Sequence, residues 1–117
     1  MRGKWEAFFL EPSEGAASHW EPSADVYRCA RKWLVKLDLA GVRPSDVEIR
    51  ARGRRLTVCG TRRDFSVLEG GEFYSMEISY NRFERSIELP VDLDKSEIRT
   101  EYRDGMFLLE ILTGNDE

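Results

Sequence analysis

An all-β fold is predicted by the apolar side chains, which recur at every second position over most of the chain from Trp20 onward. Gly and Pro interrupt this alternation at short intervals, and no long apolar run with a helical period lies between them. A chain of 117 residues, 41% of them hydrophobic, has room for one core. Together these observations predict a single immunoglobulin-like β-sandwich of seven to eight antiparallel strands.

The first strands alternate apolar and polar residues, so each has one face for the core. Gly41 to Ser45 separates the first run from the second, and Gly53 separates the second from the third. The three runs are Trp33 to Leu39, Val47 to Ala51 and Leu56 to Val58.

Two more strands are predicted after the Gly70-Gly71 break. Phe83 to Leu89 forms one, which ends at Pro90 because proline has no N–H to donate to the ladder. Alternating apolar positions predict the other, which comes before it: Tyr74, Met76, Ile78 and Tyr80.

The end of the chain predicts a β-hairpin. Asp104-Gly105 is a strong signal for a tight turn, because Gly accepts a positive φ without a Cβ clash and Asp tolerates one. Strand-like runs flank this pair, Ile98 to Arg103 before it and Met106 to Ile111 after it.

Arg85 breaks the apolar alternation, since it shares its strand face with Phe83 and Ile87. Three interpretations stay open. The guanidinium points inward to a carboxylate, lies at an interface covered by another chain, or is turned to solvent by a β-bulge. Glu77 is the candidate carboxylate, because it lies on the strand that is predicted to precede and pair with that of Arg85.

Residues 1–19 are expected to form a flexible arm ahead of a domain at 20–112, with a short end at 113–117. Trp5, Phe8 and Phe9 have the i, i+3, i+4 spacing that places side chains on one face of a short helix. A stretch containing Pro, Gly and Ser follows them and breaks any regular element.

Composition argues against several classes of function. The formal net charge of −4 comes from 18 basic and 22 acidic residues mixed along the chain, so no surface for nucleic acid or membrane is expected. The chain has one histidine and no glycine motif that binds phosphate. We therefore expect no enzyme activity and no cofactor or metal site. Cys29 and Cys59 are expected to be plain thiols in a cytoplasmic protein, because no secretory leader precedes them.

Five segments of the chain together resemble one family. Phe83 to Pro90 is similar to the F-x-R-x-φ-x-L-P strand of the alpha-crystallin domain, and Thr100 to Phe107 is similar to its A-x-x-x-n-G-V-L signature. The other three occur upstream in the family's order: Trp20 to Pro22 before Asp25 to Tyr27, Leu39 to Val42, and Leu56 to Gly60. The resemblance implies a small heat-shock protein, an ATP-independent holdase chaperone that binds partly unfolded clients.

The resemblance also implies where clients bind. The strands Asp46 to Arg52 and Ser96 to Arg103 resemble two family edges that flank a hydrophobic groove, and exposed edges are templates for extended segments. The candidate groove residues are Val47, Ile49, Ile98 and Tyr102, with ordinary core packing as the alternative. The candidate client-contacting residues of the arm are Trp5, Phe8 and Phe9.

A homodimer by strand exchange is implied as well. In bacterial and plant members, the segment that corresponds to Gly60 to Phe83 extends to a neighbour and adds a strand to its sheet. Other small heat-shock proteins are further expected partners. The candidate residues for the dimer interface are Phe65, Val67, Leu68, Arg85 and Glu77.

The end of the sequence departs from the family pattern. No I-x-I tail follows Ile111, and in the family that tail docks into the groove of another dimer, so an open groove and a small assembly are expected. The alternative function is a non-chaperone interaction module of the CS-domain co-chaperone type, which shares the sandwich. The strand from Phe83 to Pro90 and the insertion before it favour the holdase.

Overall fold

The computed structural model describes residues 19–64 and 70–113. Within these ranges seven strands form two antiparallel sheets, so the predicted β-sandwich is confirmed. The strands are β1 (Ala24–Cys29), β2 (Lys32–Asp38), β3 (Val47–Arg52), β4 (Arg55–Arg62), β5 (Asn81–Glu88), β6 (Glu97–Arg103) and β7 (Met106–Leu112).

The two sheets differ in width. One has the strand order β1-β2-β7-β6, and the other has the order β3-β4-β5. A short 3₁₀ turn at Leu93–Lys95 joins them at one end. The Leu93 N–H donates to the Gly53 carbonyl at 2.7 Å, and the Gly53 N–H donates to Asp94 Oδ2 at 3.2 Å. The start of β6 is therefore held beside the turn that follows β3.

The core lies between the inward rows of the two sheets. Strand β7 alternates buried and half-buried residues along its whole length, as a central strand of a sandwich does. The side chains that are 0% exposed come from both sheets and from the segment after β2: Val35, Leu37, Leu39, Leu56, Val58, Phe83, Leu109 and Ile111.

The predicted hairpin at Asp104-Gly105 is confirmed. Both residues have positive φ, 51° and 83°, and Arg103 lies opposite Met106, as in a two-residue turn of type I′. The Gly105 carbonyl accepts a hydrogen bond of 2.9 Å from the Leu39 N–H, so the turn also anchors the chain that leaves β2.

The predicted strand from Tyr74 to Tyr80 is wrong. Residues 70–80 contain no strand, although β5 follows directly. The side chains of this segment are not packed on a sheet, since Tyr74 is 100% exposed and Ile78 is 63% exposed. Alternation shows that a segment can form a strand, but a strand also needs a neighbour for its backbone groups, and within the described residues β4 already pairs with β5 along its full length.

Gly60 lies in the middle of β4, where the backbone of another segment comes very close. A Cβ added to Gly60 would lie 2.1 Å from the Asp46 carbonyl oxygen and 2.8 Å from Cζ of Phe83. Only glycine fits here, because the space that a methyl group needs is occupied by backbone and by a buried ring.

We predict that Gly60→Ala lowers the free energy of unfolding by about 3 kcal/mol or more, since neither the Asp46 backbone nor the Phe83 ring has room to move. Gly53→Ala is the control. Gly53 has a φ of 61° but nothing within 4 Å of an added Cβ, so only the cost of the backbone conformation, about 1 kcal/mol, is expected. Urea denaturation of both variants measures the difference, and equal losses would contradict the close-approach explanation.

Candidate functional site

The strands β3 and β6 each form one edge of their sheet. Among the described strands, β3 is hydrogen-bonded only to β4, and β6 only to β7. An edge strand directs half of its N–H and C=O groups away from the sheet, so each edge offers unpaired backbone groups to an extended segment. The turn at Leu93–Lys95 brings the two edges to the same side of the sandwich.

The inward row of β3 is apolar and only partly covered. Val47, Ile49 and Ala51 are half-buried and pack against the core, and the residues between them are exposed. Ile49 lies opposite Val58 and Val47 lies opposite Gly60, so the row faces the same way as the buried row of β4.

The inward row of β6 is apolar at both ends and exposed in the middle. Ile98 and Tyr102 are half-buried and pack against the core, but Thr100 between them is exposed. Thr100 nevertheless lies opposite Leu109, which is 0% exposed. An exposed residue on an inward row indicates that the sandwich is open at this point.

Tyr102 is held in place at the end of this row. Its hydroxyl donates to the Leu39 carbonyl at 3.0 Å, and its ring centroid lies 6.5 Å from that of Phe107. The phenol therefore has its polar partner within the chain, and its ring edge contributes apolar surface.

The structure thus places all four residues predicted for the groove on edge strands of the two sheets. Val47, Ile49, Ile98 and Tyr102 lie on the inward rows of the two edge strands, and all four also pack against the core. Each of the four side chains is partly exposed and also packs against the core, so the groove interpretation and the core-packing alternative are compatible. Thr100 was missed as a groove residue by sequence reasoning, because a threonine at an inward position gives no apolar signal.

An ion pair borders the groove where β3 begins. Arg63 donates to both carboxylate oxygens of Asp46, at 2.8 Å from Nε and 3.0 Å from Nη2. The Asp46 side chain is 15% exposed, and its hydrogen bonds from the Arg63 guanidinium lower the pKa of the carboxyl below its usual value. This bidentate contact ties the end of β4 to the turn that precedes β3.

Arg85 points inward but not to Glu77. It lies opposite Val58, whose side chain is buried, and the β4–β5 register has no break, so the β-bulge interpretation is wrong. Its Nη1 donates to the Pro22 carbonyl at 2.9 Å. The proposed contact with Glu77 is also wrong within the chain, because Glu77 lies in the exposed 70–80 segment and β4 is the strand that pairs with β5. A backbone carbonyl satisfies the guanidinium instead.

The segment that precedes β5 presents apolar side chains to solvent. Phe73 is 49% exposed, Met76 40% and Ile78 63%. Arg62 holds the end of this segment, since its Nη1 donates to the Ser79 carbonyl at 2.8 Å and its guanidinium carbon lies 4.4 Å from the Trp20 ring centroid. Sequence reasoning missed Arg62, because both of its partners are distant in the sequence.

The other edge of the wider sheet, opposite β6, is β1. Val26 is 43% exposed although it lies opposite Val35, which is fully buried, and Tyr27 is 44% exposed. Exposed apolar residues therefore occur both on an open sheet edge and on the segment before β5.

Several candidate residues lie outside the described residues: Trp5, Phe8, Phe9, Phe65, Val67 and Leu68. Their roles stay predictions. In the described part of the chain, no group of His, Cys, Asp and Glu has the arrangement of a metal site, and no helix has the length and apolarity to span a membrane. Cys29 and Cys59 are both free thiols.

The sequence model of the Hsp20/alpha crystallin family matches residues 25–117. This chain belongs to that family. Spore protein SP21 of Stigmatella aurantiaca is 30% identical over 112 residues, which cover 92% of this chain and 66% of that protein. Small heat shock protein C4 of Rickettsia felis is 22% identical over 105 residues, covering 90% of this chain and 64% of that protein. The chain thus spans slightly less than two thirds of the length of these relatives.

Solved structures share the sandwich of this Hsp20/alpha crystallin family member. Heat shock protein 16.0 from Schizosaccharomyces pombe has a TM-score of 0.73 at 24% identity, with 85% of this chain and 92% of that chain covered. The hspA protein from Xanthomonas axonopodis has a TM-score of 0.71 at 25% identity, with 86% and 100% covered.

We predict that Arg85→Ala lowers the free energy of unfolding by about 2 kcal/mol, because a charged hydrogen bond to Pro22 and the packing of the alkyl chain are lost together. Glu77→Ala should change it by less than about 0.5 kcal/mol, since this side chain is exposed. Chemical denaturation of the two variants at low protein concentration gives the comparison. Equal destabilisation by the two substitutions would instead support a contact between Arg85 and Glu77.

Proposed function

We propose that this protein is an ATP-independent holdase, which binds extended apolar segments of partly unfolded proteins in the groove between β3 and β6. One observation carries the proposal: two neighbouring sheet edges have apolar inward rows that are incompletely covered, and Thr100 is exposed between Ile98 and Tyr102. The stress-related chaperone role of the family supports it.

The groove suits clients without a common sequence. Hydrogen bonds from an edge strand go to the backbone of the bound segment, so they do not depend on its side chains. The inward rows then add apolar contact to every second residue of that segment. Such a site selects for chain that is extended and apolar, which is the state that a partly unfolded protein exposes.

We also propose that the protein forms a homodimer by strand exchange. The exposed segment before β5 is the donor, and the open β1 edge with Val26 and Tyr27 is the acceptor. Alternation of Tyr74, Met76 and Ile78 supports this assignment, because the segment has a strand-like pattern but pairs with no strand among the described residues. Phe65, Val67, Leu68 and Glu77 stay predicted interface residues, and Arg85 stays a predicted one although its Nη1 donates to the Pro22 carbonyl of its own chain.

The cellular setting is proposed from the cysteines. Cys29 and Cys59 are free thiols, and a reducing cytoplasm keeps thiols in that state. The alternative function, an interaction module of the CS-domain type, shares the sandwich but would not bind diverse unfolded chains, so an aggregation assay separates the two.

We expect the protein to suppress light scattering by a heated, aggregation-prone enzyme at stoichiometric ratio and without ATP. The double variant Val47→Thr, Ile49→Thr should lose most of this suppression, because it makes one wall of the groove polar while keeping β-branched side chains. The matched control is Glu48→Gln, Arg50→Gln, which changes the outward row of the same strand. Equal activity of both variants would exclude the groove, and no suppression by the parent would favour the CS-type module.

We predict that Tyr74→Ser, Met76→Ser, Ile78→Ser converts the dimer to a monomer, since these exposed side chains contribute the apolar contact across the proposed interface. Size-exclusion chromatography with light scattering measures the mass. A persistent dimer with unchanged dissociation constant would contradict strand exchange by this segment.

A further inference from the structure

Strand β6 carries a charge pattern that the groove does not use. Its outward row alternates in sign, and the side chains are 56% to 63% exposed. Contacts of 3.0 Å join Arg99 Nε to Glu97 Oε2 and Arg103 Nε to Glu101 Oε2. Ion pairs this exposed contribute little to folding, so stability does not explain the pattern.

The charge pattern of β6 is complementary to that of a second β6 that runs in the opposite direction. With a second β6 laid antiparallel and Thr100 opposite Thr100, every outward residue meets the opposite charge. Glu97 faces Arg103, and Arg99 faces Glu101. On the inward row Ile98 faces Tyr102, so apolar residues also meet. Cross-strand pairs of these kinds stabilise an antiparallel ladder.

The residues of β6 whose N–H and C=O groups face away from β7 are the ones that this register requires. The turn at Asp104-Gly105 makes Arg103 and Met106 a hydrogen-bonded pair, and such pairs alternate along an antiparallel ladder. Residues on the odd-numbered row of β6 therefore bond to β7. Ile98, Thr100 and Tyr102 direct their N–H and C=O groups to the open edge, and these are the residues that pair when Thr100 lies on the two-fold axis.

Charges on an edge strand ordinarily prevent such pairing. A row of one sign does so, because like charges meet in every antiparallel register. The β6 row does not, since its signs are reversed across Thr100. The charge pattern thus permits one register and disfavours those shifted by two residues, in which Glu meets Glu and Arg meets Arg.

We propose that β6 pairs with β6 of a second copy around a two-fold axis at Thr100, which joins the two four-stranded sheets into one. The contact uses the opposite edge of the sheet from β1, so it is separate from strand exchange and does not rest on the chaperone proposal. It covers the edge groups of one groove wall, and a client segment therefore competes with the second copy for β6.

Disulfide trapping tests the register. The background is Cys29→Ser, which removes the exposed native thiol and leaves the buried Cys59. Thr100→Cys places two thiols across the axis with Cα atoms about 5.5 Å apart, within disulfide range. Glu97→Cys is the control, because in this register its copies lie about six residues apart along the ladder. We expect cross-linking of Thr100→Cys with copper phenanthroline to be at least about tenfold faster, and a mixture of Glu97→Cys with Arg103→Cys to link as well. Equal rates for the two single variants would overturn the proposal.

Charge reversal tests the complementarity in the Thr100→Cys background. Arg99→Glu and Glu101→Arg should each slow cross-linking about tenfold, and the double variant should recover to within about twofold of the parent. The single variants move the net charge of −4 in opposite directions. If one accelerates and the other slows cross-linking, net charge alone governs the encounter and the proposed pairing is wrong. Circular dichroism checks that each variant is folded.

Discussion

The difference in width between the two sheets determines most of what this molecule presents to a partner. A four-stranded sheet packs on a three-stranded one, so the narrower sheet covers the centre of the wider one and leaves its outer strands incompletely covered. Strand β7 at the centre alternates buried and half-buried residues, whereas every residue of β1 after Ala24 is exposed. Apolar surface remains exposed at both edges, because no strand of the described residues lies over it.

Three open features follow from this mismatch, and each suits a different kind of contact. The β1 edge has exposed apolar side chains, the β3 and β6 edges have partly covered apolar rows that line the proposed groove, and β6 adds a self-complementary charged row. Backbone hydrogen bonds supply the attraction at all three, and the side-chain rows decide which segment fits. One small sandwich therefore offers several edges at which an extended segment can dock.

Features that depend on residues close together in the sequence could be predicted. Features that depend on contacts with backbone groups far away in the sequence could not. The Asp104-Gly105 hairpin and the strands on each side of Gly53 follow from alternation and turn chemistry, and both were confirmed. The groove residues were predicted from a family resemblance. The inward orientation of Arg85 was one of three open interpretations, but its acceptor, the Pro22 carbonyl, has no side-chain signature. The requirement for Gly60 likewise comes from the Asp46 backbone, 14 positions earlier in the chain.

Arg62 affects the conformational entropy that the 70–80 segment would lose on association. Its hydrogen bond to the Ser79 carbonyl, with the Trp20 ring beneath the guanidinium, fixes one end of the exposed 70–80 segment. A segment anchored at one end has fewer conformations to lose when it docks, so part of the entropic cost of association is met during folding. The anchor also sets how far the segment extends from its own domain. In the proposed strand exchange, Arg62 thereby limits the distances and angles at which the segment reaches a second molecule.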